Sequence, residues 1–251
     1  MIDLAGKRAF VTGGGRGIGR ATALLLARAG CSVAVGYRTR RAEAEETCTS
    51  VGRTGGRAVS VAGDLGDPVA AQRAVAEAAR VLGGLDLLVV NHGVWPADDI
   101  PVVELSDQQW EQTLRVNLDA ALYVCRAAIP LLPDGGKIVL VSSTAGQRGE
   151  AFHADYAATK GALIAFTKSL AVELAPRQIA VNCVAPGWVD TEMAAVPYEG
   201  SGRRDIERTI PLGRVASAED VAGPIVFLCC ELARHITGEV LNVNGGSVLC
   251  G

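Results

Sequence analysis

The stretch Arg8-Ala9-Phe10-Val11-Thr12-Gly13-Gly14-Gly15-Arg16-Gly17-Ile18-Gly19-Arg20-Ala21 decides the fold. A short β-prone run enters a glycine turn, and an alanine- and leucine-rich helical pattern, Ile18 to Ala29, leaves it. Glycine lets such a turn run tight and close to a pyrophosphate, whose charge then meets helix N-terminal N–H groups. The spacing is Gly-x-x-x-Gly-x-Gly, not the general Gly-x-Gly-x-x-Gly, so strand and helix context carry the nucleotide-binding reading.

Outward from this unit the same alternation repeats. Arg8–Thr12, Ser32–Tyr37, Arg57–Ala62, Leu85–Asn91, Lys137–Ser142, Ile179–Ala185 and Glu239–Val243 read as seven strands separated by helical patterns. Strands joined by helical crossovers pair in parallel and are covered on both faces, which suits continuous apolar runs such as Leu87-Leu88-Val89-Val90. The expected class is therefore α/β: a Rossmann-type three-layer fold around a seven-stranded parallel sheet, with residues 1–251 as one dinucleotide-binding and catalytic domain.

End chemistry supports the helix boundaries. Gly30 follows the first helix, Asp67-Pro68 reads as a cap followed by proline at the first helical position, and Ser106 with Gln109 reads as a capping box. Pro224 falls inside the helix expected from Ser217 to Cys230 and should kink or shorten it. The stretch from Pro186 to about Pro211 reads as irregular, beyond a strand's carboxyl end where loops cover ligands.

Composition narrows the function classes. The net charge of −3 and the lack of a basic run argue against nucleic acid, and no apolar run has membrane-spanning length. No signal-peptide pattern precedes the first strand, so a cytoplasmic protein is expected. The seven cysteines are odd in number and lack metal-site spacing, so they read as reduced, mostly buried small side chains with no metal.

Tyr156 and Lys160 stand four apart at the start of a helical run, on one face. A neighbouring ammonium favours phenolate, which would bring the Tyr156 pKa down toward neutrality for acid/base work. Ser143, at the end of the fifth strand and thirteen residues before Tyr156, can converge with it over a cofactor. Asp64-Leu65 and Asn91-His92-Gly93 stand at further strand ends, where the nucleotide should lie.

In order and spacing, Thr12–Gly19, Asn91-His92-Gly93, Asn117, Ser143, Tyr156/Lys160 and Pro186-Gly187 resemble the short-chain dehydrogenase/reductase family across essentially the whole chain. Ile210–Arg214, Ile236–Gly238 and Asn242–Gly246 resemble its 3-oxoacyl-carrier-protein reductase branch. The resemblance implies that Tyr156 protonates a carbonyl oxygen, or deprotonates an alcohol, while Ser143 hydrogen-bonds that oxygen. Lys160 would hold the nicotinamide ribose, and Asn117, mid-helix, would anchor a water leading to Lys160. It also implies that the dinucleotide meets Gly13, Gly15, Arg16, Gly17, Ile18, Gly19, Tyr37, Arg38, Asp64, Leu65, Asn91, Gly93, Tyr156, Lys160, Pro186, Gly187, Val189 and Thr191. Trp95, Gln147, His153, Trp188 and Met193 are candidates for contact with substrate, beside Ser143. A homotetramer of two-fold symmetry is expected on the same ground.

Two departures from the family pattern bear on substrate. His92 replaces the usual alanine of an Asn-Ala-Gly turn, with Val90 where a further asparagine is common. Leu132-Pro133-Asp134-Gly135-Gly136 is acidic where carrier-dependent relatives often carry a basic residue, although Arg177 remains. A free small ketone, or its alcohol, is the expected substrate. For the cofactor, an NAD-selective site presents an acidic side chain after the second strand, and Tyr37 stands there instead, followed by Arg38. NADP(H) is therefore preferred, with NAD(H) possible. The alternatives are a catalytically idle dinucleotide sensor on the same fold, an NAD-dependent alcohol or sugar dehydrogenase, and a nucleotide-sugar epimerase or dehydratase. The first should have lost Tyr156, Lys160 or Ser143; the last should carry a larger carboxyl-terminal lobe than the residues after Gly187 provide.

Overall fold

Seven strands form one parallel sheet in the order β3-β2-β1-β4-β5-β6-β7 in a computed structural model that describes residues 2–250. They are β1 (Arg8–Val11), β2 (Ser32–Tyr37), β3 (Ala58–Ala62), β4 (Leu87–Val90), β5 (Lys137–Val141), β6 (Ala180–Pro186) and β7 (Val240–Val243). Each expected strand forms, with ends displaced by at most two residues. The order reverses between β1 and β4, and ligands of open α/β sheets bind in the crevice above such a switch point.

The helices are α1 (Gly17–Arg28), α2 (Arg41–Arg53), α3 (Pro68–Leu82), α4 (Asp107–Leu114), α5 (Ala120–Ala128), α6 (Ala145–Arg148), α7 (Ala154–Leu174), α8 (Gly202–Thr209) and α9 (Ala218–Leu228). Strand residues alternate between two cores. Phe10, Leu88, Leu140 and Ile138 face α3, α5 and α7, whereas Val11, Leu87, Val89 and Val139 face α1, α2 and α9. Two-sided burial is what the unbroken apolar run of β4 required.

Capping follows the sequence closely. The Asp67 carboxylate accepts from Ala70 N at 2.7 Å, and Ser217 and Asp220 form a reciprocal capping box. Ser106 accepts from Gln109 N at 3.2 Å, the first half of the box expected there. α9 runs through Pro224, at the expense of one hydrogen bond to the Asp220 carbonyl, and stops at Leu228 rather than Cys230. The segment expected to be irregular between Pro186 and Pro211 instead contains α8 and two 3₁₀ turns, Glu192–Ala194 and Val196–Tyr198. Its helix has no buried residue and is stitched by ion pairs such as Arg203–Glu207, so it lacks the apolar stripe that marks a helix in sequence. No helix among the described residues is long and apolar enough to cross a membrane.

Candidate active site

β1 ends one residue before Thr12, and its hydroxyl ties the two central strand ends together. Asn91 N and His92 N donate to Thr12 Oγ1 at 3.0 and 3.3 Å, and Asn91 Nδ2 donates to the carbonyls of Thr12 and Gly13 at 3.2 Å each. Gly13 and Gly17 take positive φ values of 63° and 50°, which turn the chain into α1. The α1 cap residue, Arg16, makes no side-chain hydrogen bond to the helix end, leaving those N–H groups open to an anion. Gly19 differs from the expectation. A Cβ there would stand 2.2 Å from the Gly13 carbonyl oxygen, so Gly19 packs the turn from behind and does not line the cavity above it.

That cavity, about 370 Å³, runs from Arg16, Tyr37 and Arg38 at one end, past Asp64, Leu65, Asn91 and Gly93, to Ser143, Tyr156 and Lys160 at the other. Pro186, Gly187, Val189 and Thr191 cover it. Gly15, Gly17 and Ile18 complete its floor. Among the described residues neither Arg16 nor Arg38 pairs with a carboxylate, because Glu43 pairs with Arg40 at 2.9 Å and Asp64 with Arg115 at 3.3 Å. A glycine turn, an uncapped helix end and two free guanidinium groups fit a phosphorylated dinucleotide.

Tyr156 and Lys160 are fixed by what surrounds α7. The buried Asp155 carboxylate accepts from Tyr156 N at 2.8 Å, Thr113 Oγ1 at 2.7 Å and Gln109 Nε2 at 3.2 Å, tying α4 to the first turn of α7. Ser142 Oγ donates to the Lys160 carbonyl at 2.7 Å, and Lys160 Nζ donates to the Val141 carbonyl at 2.9 Å. α6 presses against the same turn: a Cβ on Gly146 would lie 2.4 Å from the Lys160 carbonyl carbon.

Burial pushes the Tyr156 phenol up to about 12, and the Glu150 carboxylate adds to the rise while a hydrogen bond with Ser143 opposes it. The expectation that Lys160 would bring this pKa toward neutrality is not met. Lys160 Nζ is turned to Val141 and stands 5.6 Å from the phenol ring centroid; its own pKa falls to about 8 because it is buried. Tyr156 is therefore a phenol across the neutral range.

Asn117 lies not in α-helix but in a π-helical turn, Arg115–Asp119, between α4 and α5. Its Oδ1 accepts from Val94 N at 2.8 Å, and Nδ2 donates to Val94 O at 2.9 Å and Thr159 Oγ1 at 3.1 Å. Thr159 in turn donates to the Tyr156 carbonyl at 2.8 Å. Asn117 is thus buried behind Gly93, where a Cβ would stand 3.2 Å from Asn117 Oδ1 and 3.4 Å from Lys160 Nζ. It holds the Gly93–Val94 turn and α7 in register.

At the catalytic end Trp95, Trp188 and Met193 line the cavity, as expected. His153 and Gln147 do not. His153 is 4% exposed and stacks beneath Trp95 with ring centroids 4.6 Å apart, while Gln147 Nε2 donates to Asn242 Oδ1 at 2.6 Å. Trp95 meets Trp188 edge-on at 6.2 Å. Glu150 lines this end and was missed; its only sequence signal is an acidic residue between the strand-end Ser143 and Tyr156. His92, the departure within the Asn91–Gly93 turn, also lines the cavity. Its Nδ1 lies 2.8 Å from Thr12 Oγ1, and burial, with Lys160 nearby, pushes its pKa down to about 3, so the ring is neutral.

A doubly wound sheet with a glycine turn at its switch point and Ser143, Tyr156 and Lys160 converging on one cavity defines an oxidoreductase of the short-chain dehydrogenase/reductase family, to which this chain belongs. A family model described as enoyl-(acyl carrier protein) reductase matches residues 13–247. The chain is 42% identical over 251 residues, with 98% of each chain covered, to 3-oxoacyl-[acyl-carrier-protein] reductase FabG of Aquifex aeolicus. It is 36% identical, again with 98% of each covered, to L-rhamnose 1-dehydrogenase (NAD(P)(+)) of a Sphingomonas strain. A solved short-chain dehydrogenase from Burkholderia cenocepacia, in complex with NADP, superposes with a TM-score of 0.91 at 38% identity, covering 97% of this chain and 98% of that one.

Proposed function

We propose that this protein is an NADP(H)-preferring reductase of free small ketones, working as one domain and acting in reverse on the secondary alcohols. The observation that carries the reading is the pairing, in one cavity, of a protonated Tyr156 beside Ser143 with two free guanidinium groups, Arg16 and Arg38, at the far end. The bound nicotinamide supplies or accepts the hydride. Ser143 and Tyr156 hold the carbonyl oxygen by hydrogen bonds, and Tyr156 delivers the proton as negative charge develops there. Lys160, Asn117 and Thr159 act on the position and charge of this pair from behind.

The adenosine end supports the cofactor choice. Tyr37 ends β2 where an NAD-selective site carries a carboxylate, Glu43 is engaged by Arg40, and a 2′-phosphate would meet Arg38 and Arg16. The carrier-facing side supports a free substrate. Arg177 is bound to Asp134 at 3.2 Å and to the Ile129 and Leu132 carbonyls, so it is not free for an acidic carrier protein. A panel of small ketones with NADPH and NADH, followed at the nicotinamide absorbance, tests both choices. Equal efficiency with the two cofactors, or activity confined to carrier-bound substrates, would overturn them. A sugar-dehydrogenase reading is favoured by the L-rhamnose relative and by a solved glucose/ribitol dehydrogenase of Brucella melitensis, 32% identical with a TM-score of 0.92. The same panel run with aldoses and NAD(P) decides it.

A further inference from the structure

Four carboxylates line the cavity, and three of them stand at the dinucleotide end. Glu43 is paired with Arg40, Asp64 with Arg115, and Glu192 Oε2 lies 3.9 Å from where a Cβ on Gly17 would stand. Glu150 is the fourth. It shares the catalytic end with Ser143 and Tyr156 and is close enough for its charge to disfavour the phenolate. Among the described residues no lysine or arginine forms an ion pair with it. The Trp95 indole supplies it one side-chain hydrogen bond, and His153, Arg148 and Asp99 stand nearby.

The backbone is bent to put it there. Gly149 and Phe152, on either side of the Glu150-Ala151 pair, both take left-handed φ values, 77° and 67°. L residues rarely adopt that conformation, and Phe152 gains little burial from it, being 52% exposed. What the bend achieves is to seat His153 under Trp95 and to turn Glu150 toward the cavity, whose other walls here are Trp95, Trp188 and Met193. A half-buried carboxylate that takes one indole donor keeps acceptor capacity for a further hydrogen-bond donor and repels an anion.

We propose that Glu150 selects ketones carrying a hydrogen-bond donor, a hydroxyl or an ammonium, on the part of the molecule remote from the carbonyl, and rejects ketones carrying an anion there. The inference rests on the ketone-reductase reading above and names its substrate class. Atoms of substrate bound between Tyr156 and Trp188 would place such a donor against Glu150, with the aromatic walls covering the skeleton.

The test uses 4-phenylbutan-2-one and its para-hydroxy, para-aminomethyl, para-methoxy and para-carboxy derivatives, with NADPH. For the intact enzyme, kcat/KM for the hydroxy and aminomethyl ketones should exceed that for the methoxy ketone by about tenfold or more, and the carboxy ketone should be slowest. In E150Q the amide oxygen still accepts from a hydroxyl, so the hydroxy preference should persist while the aminomethyl preference and the carboxy penalty collapse. In E150L all three should vanish. Persistence of the aminomethyl preference in both variants would overturn the proposal, as would equal kcat/KM for all five ketones with the intact enzyme. Turnover of none of the five would overturn the ketone-reductase reading itself, and this inference with it.

Discussion

Thr113 donates a 2.7 Å hydrogen bond to the carboxylate of Asp155, the residue before Tyr156, and both side chains are almost fully buried. The carboxylate also takes the Tyr156 N–H, so α4 sets the angle at which α7 starts. Thr113→Val removes one donor from a buried charge at nearly constant volume. It should lower stability by roughly 1.5–3 kcal/mol in urea unfolding and reduce kcat more than it changes KM for ketone. An unchanged midpoint and unchanged kcat would show that this bond sets nothing.

Tyr156→Phe deletes one hydroxyl and keeps the ring's packing. Turnover should fall by about 10²–10⁴-fold while the far-ultraviolet circular dichroism and the dissociation constant for NADPH stay near those of the parent. Near-normal reduction of the best ketone would exclude Tyr156 as the proton donor.

Arg38→Ala should raise the Michaelis constant for NADPH by about ten- to a hundredfold, the equivalent of one charge-assisted pair, and leave that for NADH almost unchanged. Equal weakening of both cofactors would place Arg38 elsewhere than on a 2′-phosphate.

Alkaline pH should destabilise the fold through its thiols. Burial raises Cys31 and Cys125 from 9.0 to about 12 and Cys183 to about 11, and raises Cys229 as well. Each is protonated when folded and ionised when unfolded above pH 9, so the stability it carries below that pH is lost as pH rises, at about 1.4 kcal/mol per unit and thiol. Lys160 acts in the opposite sense. Its pKa is about 8 folded against 10.5 unfolded, so its cost eases between those values. One lysine is outweighed by four thiols, and urea midpoints measured with reductant should decline above pH 9. The decline should be shallower in Cys125→Ala, and a parallel slope in that variant would refute the account.

Assembly is open to a direct measurement. Trp110 on α4, Leu122 on α5 and Val172 on α7 expose 39%, 41% and 79% of their surface, apolar area that a two-fold symmetric tetramer would cover. Light scattering should give four times the chain mass at micromolar concentration. A stable monomer would refute the tetramer.

The sheet was legible because burial on both faces writes unbroken β-branched and leucine runs, as in Leu87 to Val90, between helices whose ends carry their own chemistry, as at Asp67-Pro68. Ser143, Tyr156 and Lys160 were legible because strand-end and helix spacings bring them together by geometry. α8 was not, since it buries nothing and so shows no apolar period. Nor was the π turn at Asn117, a change in hydrogen-bond pattern that no residue type announces. Trp95 and His153 were both placed at the mouth by sequence. Which of them faces the cavity depends on a stacking arrangement that spacing does not encode.

The Lys160 carbonyl, gripped by Ser142 and pressed by Gly146, belongs to a part of the molecule with almost no freedom to vary. Trp95, Glu150 and Trp188 hang from loops, and Met193 from a single 3₁₀ turn, outside that grip. A lineage built this way can exchange one substrate for another through a handful of mouth substitutions without renegotiating its chemistry. For the same reason, a combinatorial library confined to those four positions should yield new specificities at a high rate with few unfolded members.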